Sequence, residues 1–289
     1  MKVLILGAHG FTGRELSGHL ERSAAYEIYG AGLGMPQKEP RSFECDLTCA
    51  RSVQSLVEML KPAQVYHLAG RFTNDYEVDY PANVVSTKNL LDSIRKLQID
   101  CRVLLIGSSA EYGLVETEEN PVDEKHDLNP VSVYGLTKVY QTHLMRLYHA
   151  VHRLDVVMAR PFNLLGQGIS PRLFVGRVQQ QIESYLKGEI SKIVLGNLRH
   201  RRDYISVERA VAAYELIMNH GQAGEVYNVG SGHSIAIREL LKNMLSEHGL
   251  SMDIVQEQLN DDRGKPDIKD LSADVSKISN LEKKVHGEG

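Results

Sequence analysis

The chain has 289 residues, 42% hydrophobic and 24% charged, with a formal net charge of −4. That balance describes an ordinary globular protein with ample core and excludes a basic nucleic-acid or anionic-membrane binder. No apolar run approaches the roughly 20 residues that span a bilayer, and the 3 cysteines, Cys45, Cys49 and Cys101, make no metal-ligand pattern.

The chain opens on MKVLILGAHG, where a short apolar run ends in glycine, so a first strand is expected rather than an export signal. Free thiols without such a signal point to the reducing cytoplasm. KVLILG (Lys2 to Gly7) reads as a buried strand, GRELSGHLERS (Gly13 to Ser23) as a helix and YEIYGAG as a second strand. ARSVQSLVEML places Val53, Leu56, Val57 and Leu60 at helical period. AQVYHLAG is a strand, NVVSTKNLLDSIRKL a helix, CRVLLIGSS a strand, VYGLTKVYQTHLMRLYHAVH a long helix and LDVVMARPFN a strand. This alternation predicts a parallel sheet covered by helices on both faces. Beyond Leu165 the pattern loosens. RLFVGRVQQQIESYLKG, VERAVAAYELIMNH and IAIRELLKNMLSEHG are helical, SKIVLGNLRHRRDYISV mixes strand and loop, and GEVYNVGSG is a strand and turn. The polar tail EKKVHGEG is expected to fray.

Three stretches carry chemistry. GAHGFTG spaces Gly7, Gly10 and Gly13 as G-x2-G-x2-G between a strand and a helix, the setting of a dinucleotide fingerprint. Small residues there let the backbone approach a pyrophosphate at a helix N-terminus. A glycine-rich turn without a ligand is the plain alternative. The acid expected at the end of the second strand is absent from YEIYGAGLGMPQK. Arg14, with Lys38 or Arg41, can meet a 2′-phosphate instead, which favours NADP(H) over NAD(H). GSSAEYG puts Ser108 and Ser109 at the C-terminal end of a strand, where open α/β sheets bind ligands. SVYGLTKVY holds Tyr134 and Lys138 one helical turn apart on one face. The 12 histidines, His9, His67, His143, His149 and His152 among them, show no paired-ligand spacing and read as ordinary core or surface residues.

Together, Gly7-x2-Gly10-x2-Gly13, Ser108 and Tyr134-x3-Lys138 resemble an extended short-chain dehydrogenase/reductase of the nucleotide-sugar epimerase/dehydratase family. RPFNLLGQG (Arg160 to Gly168), NLRHRRDYISVERAV (Asn197 to Val211) and YNVGSG (Tyr227 to Gly232) resemble further segments of that family, in family order. Within it, GSSAEYG, YGLTK, LGNLRHRRDYISV and GEVYNVGSG look most like GDP-4-keto-6-deoxy-mannose reductases.

The resemblance implies a Rossmann-like doubly wound parallel sheet over residues 1–165, with a smaller C-terminal α/β substrate domain over 166–289, some of whose segments return to the sheet. It implies Tyr134 as proton donor, Ser108 on the reacting oxygen, and Lys138 lowering the phenol toward working pH. The implied cofactor residues are Gly7, His9, Gly10, Phe11, Thr12, Gly13, Arg14, Asp46, Leu47, Leu68, Ala69, Gly70, Asn83, Arg160 and Pro161, together with Tyr134 and Lys138. Asp46 equally suits the cap of the next helix. On the substrate side stand Ser108, Ser109, Asn163, Arg202 in the basic run RHRR, and Arg263 in DDRGKPDIKD. Guanidinium groups suit a diphosphate, although a solvated basic loop would read the same way.

Relatives that eliminate water carry an acid after the catalytic hydroxyl. Here Ala110 stands there, and Glu111 on an extended segment is expected to face the other way. The expected reaction is therefore NAD(P)H-dependent reduction of a 4-keto group. A 4-epimerase is the alternative, and a non-catalytic cofactor binder the second. Expected partners are a nucleotide-diphosphate sugar and a second copy of the chain. In such a homodimer the helix after Asn83 packs with the Tyr134 helix, whose Leu136, Tyr140, Leu144 and Leu147 suit that interface or an internal core. Nucleic acid, membrane and metal are not expected.

Overall fold

Residues 1–34, 40–258 and 268–287 are described by the computed structural model. β1 (Lys2–Leu6) is buried at four successive positions, as a strand covered on both faces must be. After it come α1 (Phe11–Leu20), β2 (Glu27–Gly32), β3 (Ser42–Glu44), α2 (Ala50–Leu60) and β4 (Gln64–His67). A short α3 (Tyr76–Tyr80) passes through a π turn into α4 (Ser86–Leu97). Then follow β5 (Arg102–Ile106), α5 (Val133–His152), β6 (Val156–Pro161), β7 (Asn163–Leu165) and α6 (Phe174–Leu186). β8 (Ile193–Leu195), β9 (Arg201–Ser206), α7 (Val207–His220), β10 (Val226–Val229) and β11 (Ser234–Ala236) precede α8 (Ile237–Ser246), β12 (Val255–Glu257) and α9 (Ser276–His286).

The main sheet runs β10-β6-β5-β4-β1-β2-β3, and its strand pairs are all parallel. The chain builds outward from β1 to β3, then crosses to β4 on the other side of β1. That reversal opens a crevice beyond the C-terminal ends of β1 and β4. Apolar stripes of α2, α4 and α5 close one face, with Val53, Leu90 and Met145 fully buried. Leu16 of α1, Tyr214 of α7 and Ile278 of α9 help close the other. The sheet class expected from the alternation is thus the one observed.

Two small sheets, β11-β9-β7 and β12-β8, lie outside the main one. α6 and α8 pack Val178, Ile182, Leu241 and Leu245 against β8. β10, far along the chain, returns to the main sheet beside β6. The tail differs from expectation: α9 runs to His286, anchored where Ile278 enters the core and Lys277 Nζ meets Glu225 at 2.7 Å.

Candidate active site

Loops at the C-terminal ends of β1, β4, β5 and β6 surround a cavity of 760 Å³, the size of a small-ligand site. Its first wall is the glycine turn. Gly7 has φ +86°, and a side chain there would come within 2.8 Å of the Ala69 nitrogen. A Cβ on Gly13 would run into the carbonyls of Gly7 and Ala8. α1 therefore starts hard against the end of β1, with its first N–H groups unsatisfied within the helix. Phe11 and Thr12 line the cavity. His9 is exposed, and its carbonyl accepts from the Arg14 guanidinium at 2.7 Å. This cradle fits the pyrophosphate of a dinucleotide.

Leu68 and Gly70 continue the wall, with Ala69 against Gly7. Asn83 stands behind it, fully buried. Its Oδ1 accepts the Arg71 N–H at 2.8 Å, and its Nδ2 donates to the Arg71 carbonyl at 3.0 Å and the Thr137 hydroxyl at 2.8 Å. Asp46 and Leu47 lie apart from the cavity lining. Asp46 accepts from the Thr48 N–H at 2.9 Å, Leu47 is in the core, and the N-cap of α2 is Cys49 rather than Asp46.

The reactive groups come from β5 and α5. Ser132 caps α5 through the Gly135 N–H at 3.0 Å, which sets Tyr134 and Lys138 in its first two turns. Lys138 is buried, donates to the Ile106 carbonyl at 2.9 Å and lies 5.5 Å from the Tyr134 ring centroid. The Ser108 hydroxyl lies near enough to the Tyr134 phenol to favour its ionised form. Ser108, Ser109, Ala110, Tyr134, Lys138 and Pro161 all line the cavity.

Titration departs from the sequence reading. Burial pushes the Tyr134 phenol up to about 12, with Ser108 pulling the other way and Glu111 and Asp79 adding to the rise. Burial pulls the Lys138 amine down to about 8, opposed by Glu111 and Asp79. A dry wall disfavours the charge on each group more than their proximity favours it.

Glu111 closes a 3-10 turn, Ser109–Glu111, rather than an extended segment, yet it does point away from the cavity. Its Oε1 accepts the Ser108 N–H at 2.8 Å, and its Oε2 meets the Arg160 guanidinium at 2.9 Å and the Thr142 hydroxyl. Arg160 lies under the site, fully buried, over the Tyr112 ring at 4.8 Å.

Opposite, Asn163 lines the cavity and donates to the Asp203 carbonyl at 3.0 Å, while Arg202 lines it from β9. Arg263 and Lys38 lie outside the described residues. The structure adds lining residues that the motifs did not mark, Arg71, Phe72, Arg172 and Tyr214, and brings Tyr204 of the RDY segment to the same wall. Arg172 follows Pro171 just ahead of a helical pattern, a signal that could have found it; Arg71 and Phe72 had none. Among the described residues, Arg71, Lys138, Arg172 and Arg202 line the cavity and no carboxylate does. Such a wall attracts polyanions. No group of three or more His, Cys, Asp or Glu among the described residues could hold a metal, and no described helix is long and apolar enough to cross a membrane.

A Rossmann-like sheet, a glycine cradle and a Ser-Tyr-Lys cluster facing one cavity define a dinucleotide-dependent enzyme. Residues 3–230 match the model of the NAD dependent epimerase/dehydratase family, and the chain belongs to that family. It is 29% identical to the GDP-6-deoxy-D-mannose reductase of Pseudomonas aeruginosa, over 89% of this chain and 83% of that protein. It is also 29% identical to the GDP-6-deoxy-D-talose 4-dehydrogenase of Aggregatibacter actinomycetemcomitans, over 97% and 91%. Its fold is that of RMD from Pseudomonas aeruginosa complexed with NADPH, with TM-score 0.83 and 24% identity over 97% of this chain and 91% of that one.

Proposed function

We propose that this protein reduces the 4-keto group of a nucleotide-linked 6-deoxy sugar, with GDP as the nucleotide. The carrying observation is the convergence of Ser108, Tyr134 and Lys138 with the glycine cradle on one cavity lined by cations and free of described carboxylates. The names of the two relatives supply the nucleotide and the sugar class.

The dinucleotide, when bound, supplies a hydride. It would lie on Gly7, Gly10, Phe11, Thr12 and Gly13, along Leu68, Ala69 and Gly70, with its nicotinamide end toward Tyr134, Lys138 and Pro161. His9, Arg14, Asp46, Leu47, Asn83 and Arg160 complete the proposed cofactor set. Asn83 acts there through the Arg71 backbone it holds, and Arg160 through Glu111, whose carboxylate accepts the Ser108 N–H. Tyr134 donates its phenolic proton to the carbonyl oxygen, and its high pKa keeps that proton available at neutral pH. Ser108 hydrogen-bonds the same oxygen and stabilises the alkoxide. Lys138 returns positive charge beside the phenol. Ser109, Asn163 and Arg202 hold the nucleotide sugar, with Arg263 proposed from sequence.

NADP(H) is the proposed carrier, because β2 ends in Gly30-Ala31-Gly32 with no acid of its own and Arg14 stands at the glycine turn. We also propose a cytoplasmic enzyme whose residues 1–165 bind cofactor and whose residues 166–289 mainly bind substrate. Two copies would pack through α4 and α5. In the single chain Leu136, Tyr140 and Leu147 of α5 are exposed at 37%, 40% and 52%, which supports an interface, whereas Leu144 packs on the internal core.

The test follows absorbance at 340 nm with NADPH and then NADH against GDP-, dTDP-, UDP- and CDP-linked 4-keto-6-deoxy sugars. Oxidation with the GDP sugar is expected. No oxidation, with interconversion of UDP-hexoses without added cofactor, would replace this reading with a 4-epimerase.

A further inference from the structure

The segment between β4 and α3 is fastened along its whole length. Asn83 clamps both backbone polar groups of Arg71. Asp79, fully buried, accepts from the Thr73 N–H and hydroxyl at 2.9 and 2.7 Å and from the Asn74 N–H at 2.8 Å. Asn74 adopts φ +61°, and its side chain accepts the Tyr134 N–H at 3.3 Å, an N–H that α5 itself cannot satisfy. A surface loop does not need so many fixed points. What they hold is the dipeptide Arg71-Phe72, whose two side chains both line the cavity.

Both side chains are set beside the reactive groups. The Phe72 ring meets the Tyr134 ring edge to face, with centroids 4.8 Å apart at 86°, yet Phe72 remains 38% exposed. Gly70, the residue before Arg71, lies so close to Lys138 that a Cβ there would be 3.7 Å from Nζ. The Arg71 guanidinium has no ion pair, hydrogen bond or ring partner among the described residues. An exposed aromatic face and an unpaired planar fork, both on a rigid backbone, suit a hexose: the ring packs on the apolar C–H face, and the fork takes hydroxyl oxygens.

We propose that Arg71 and Phe72 form the subsite for the pyranose ring that carries the reacting carbonyl, and so determine which sugar is accepted. This rests on the reductase reading for its substrate class. The diphosphate belongs to the opposite wall, at Asn163, Arg172 and Arg202, and the cofactor pyrophosphate to the glycine cradle. Arg71 and Phe72 should therefore affect neither.

The experiment measures binding of GDP-mannose, GDP and NADPH by calorimetry for the wild type, Arg71→Ala, Arg71→Lys and Phe72→Ala. GDP-mannose and GDP are titrated with NADP+ present. Steady-state kinetics on the keto sugar run in parallel, with thermal melting to verify folding. Arg71→Ala and Phe72→Ala are each expected to weaken GDP-mannose binding about tenfold while leaving GDP and NADPH within about twofold. Arg71→Lys should recover part of the loss. Equal weakening of GDP would make Arg71 a diphosphate residue, weakened NADPH would make it a cofactor residue, and unchanged GDP-mannose would leave it idle. Each of these overturns the proposal, as does a wild type that holds GDP-mannose no tighter than GDP. If no keto sugar is turned over, the reductase reading fails, while the difference between GDP-mannose and GDP still tests the subsite.

Discussion

The Glu111 carboxylate lies 2.9 Å from the Arg160 guanidinium, with neither side chain exposed to solvent. The pair sits directly behind Ser108: Glu111 Oε1 accepts the Ser108 N–H, and Gly107 is packed against the same oxygen. The carboxylate is thereby fixed on the far side of the loop from the cavity. It cannot protonate a leaving hydroxyl there, so the geometry supports reduction over elimination. Glu111→Ala would strand a buried guanidinium and release the Ser108 loop. The expected cost in urea unfolding is about 3–5 kcal/mol, because a broken buried pair leaves an uncompensated charge. A loss below about 1 kcal/mol would show that water or another group covers Arg160 and that the pair is not what fixes the loop.

The proton chemistry should show in the pH profile. Lys138 is pulled down to about 8 and Tyr134 pushed up to about 12, burial being the first cause for each. Below about 8 the amine carries its proton and the phenol does too, which is the state a reduction needs. Ketone reduction is therefore expected to hold steady through neutral pH and to fall as pH rises past Lys138. Lys138→Met should lower the plateau and remove that fall. Tyr134→Phe should cost about 100- to 10,000-fold, the usual worth of a general acid. A rate that climbs through the same pH range would identify tyrosinate as the active form and sink the proton-donor role.

One residue the motif did not mark works against the proposed preference for NADP(H). Glu44 on β3 accepts the Gly34 N–H at 3.1 Å, so a carboxylate from the neighbouring strand reaches the end of β2. Its charge would oppose a 2′-phosphate and favour a free ribose hydroxyl. Glu44→Gln should raise the ratio of NADPH to NADH efficiency several-fold with little change in stability, read as kcat/KM for each. An unchanged ratio would place Glu44 out of reach of the ribose.

What the sequence made legible was local. The glycine turn, the elements β1, α1, β2, α2, β4, α4, β5, α5 and β6, and the Tyr134–Lys138 spacing are set within a few residues, where hydrophobic period and glycine conformational freedom suffice. α5 and α7 begin and end where their apolar patterns do. The rest depends on partners far away in the chain. Glu111 reads as a polar residue after a strand until Arg160, on the next strand, arrives behind it. Glu44 gains meaning from β2 pairing beside it. Arg71 and Phe72 carry no periodicity, and what makes them notable is the rigid scaffold of Asn83 and Asp79. α9 was hidden by its own polarity: its apolar residues are few, and their burial comes from α7 and β10 rather than from any pattern strong enough to see.

Asp203 offers the last test, because it joins the substrate wall to the C-terminal segment. It is fully buried and accepts from the Ser231 N–H at 2.7 Å, the Ser231 hydroxyl at 2.6 Å, the Gly232 N–H at 3.0 Å and the Ala273 N–H at 3.1 Å. Its own carbonyl holds Asn163, and Arg202 precedes it on β9. Asp203→Asn keeps one acceptor oxygen and turns the other into a donor facing N–H groups, so some of these bonds must be lost. Unfolding free energy should fall by about 1–3 kcal/mol for the buried donors left unpaired. Because the Ser231–Gly232 turn and Ala273 lose part of their anchor beside β9 while the glycine cradle is untouched, KM for the nucleotide sugar should rise with NADPH affinity unchanged. If both weaken together, Asp203 supports the fold as a whole, and the wall it holds is not specific to substrate.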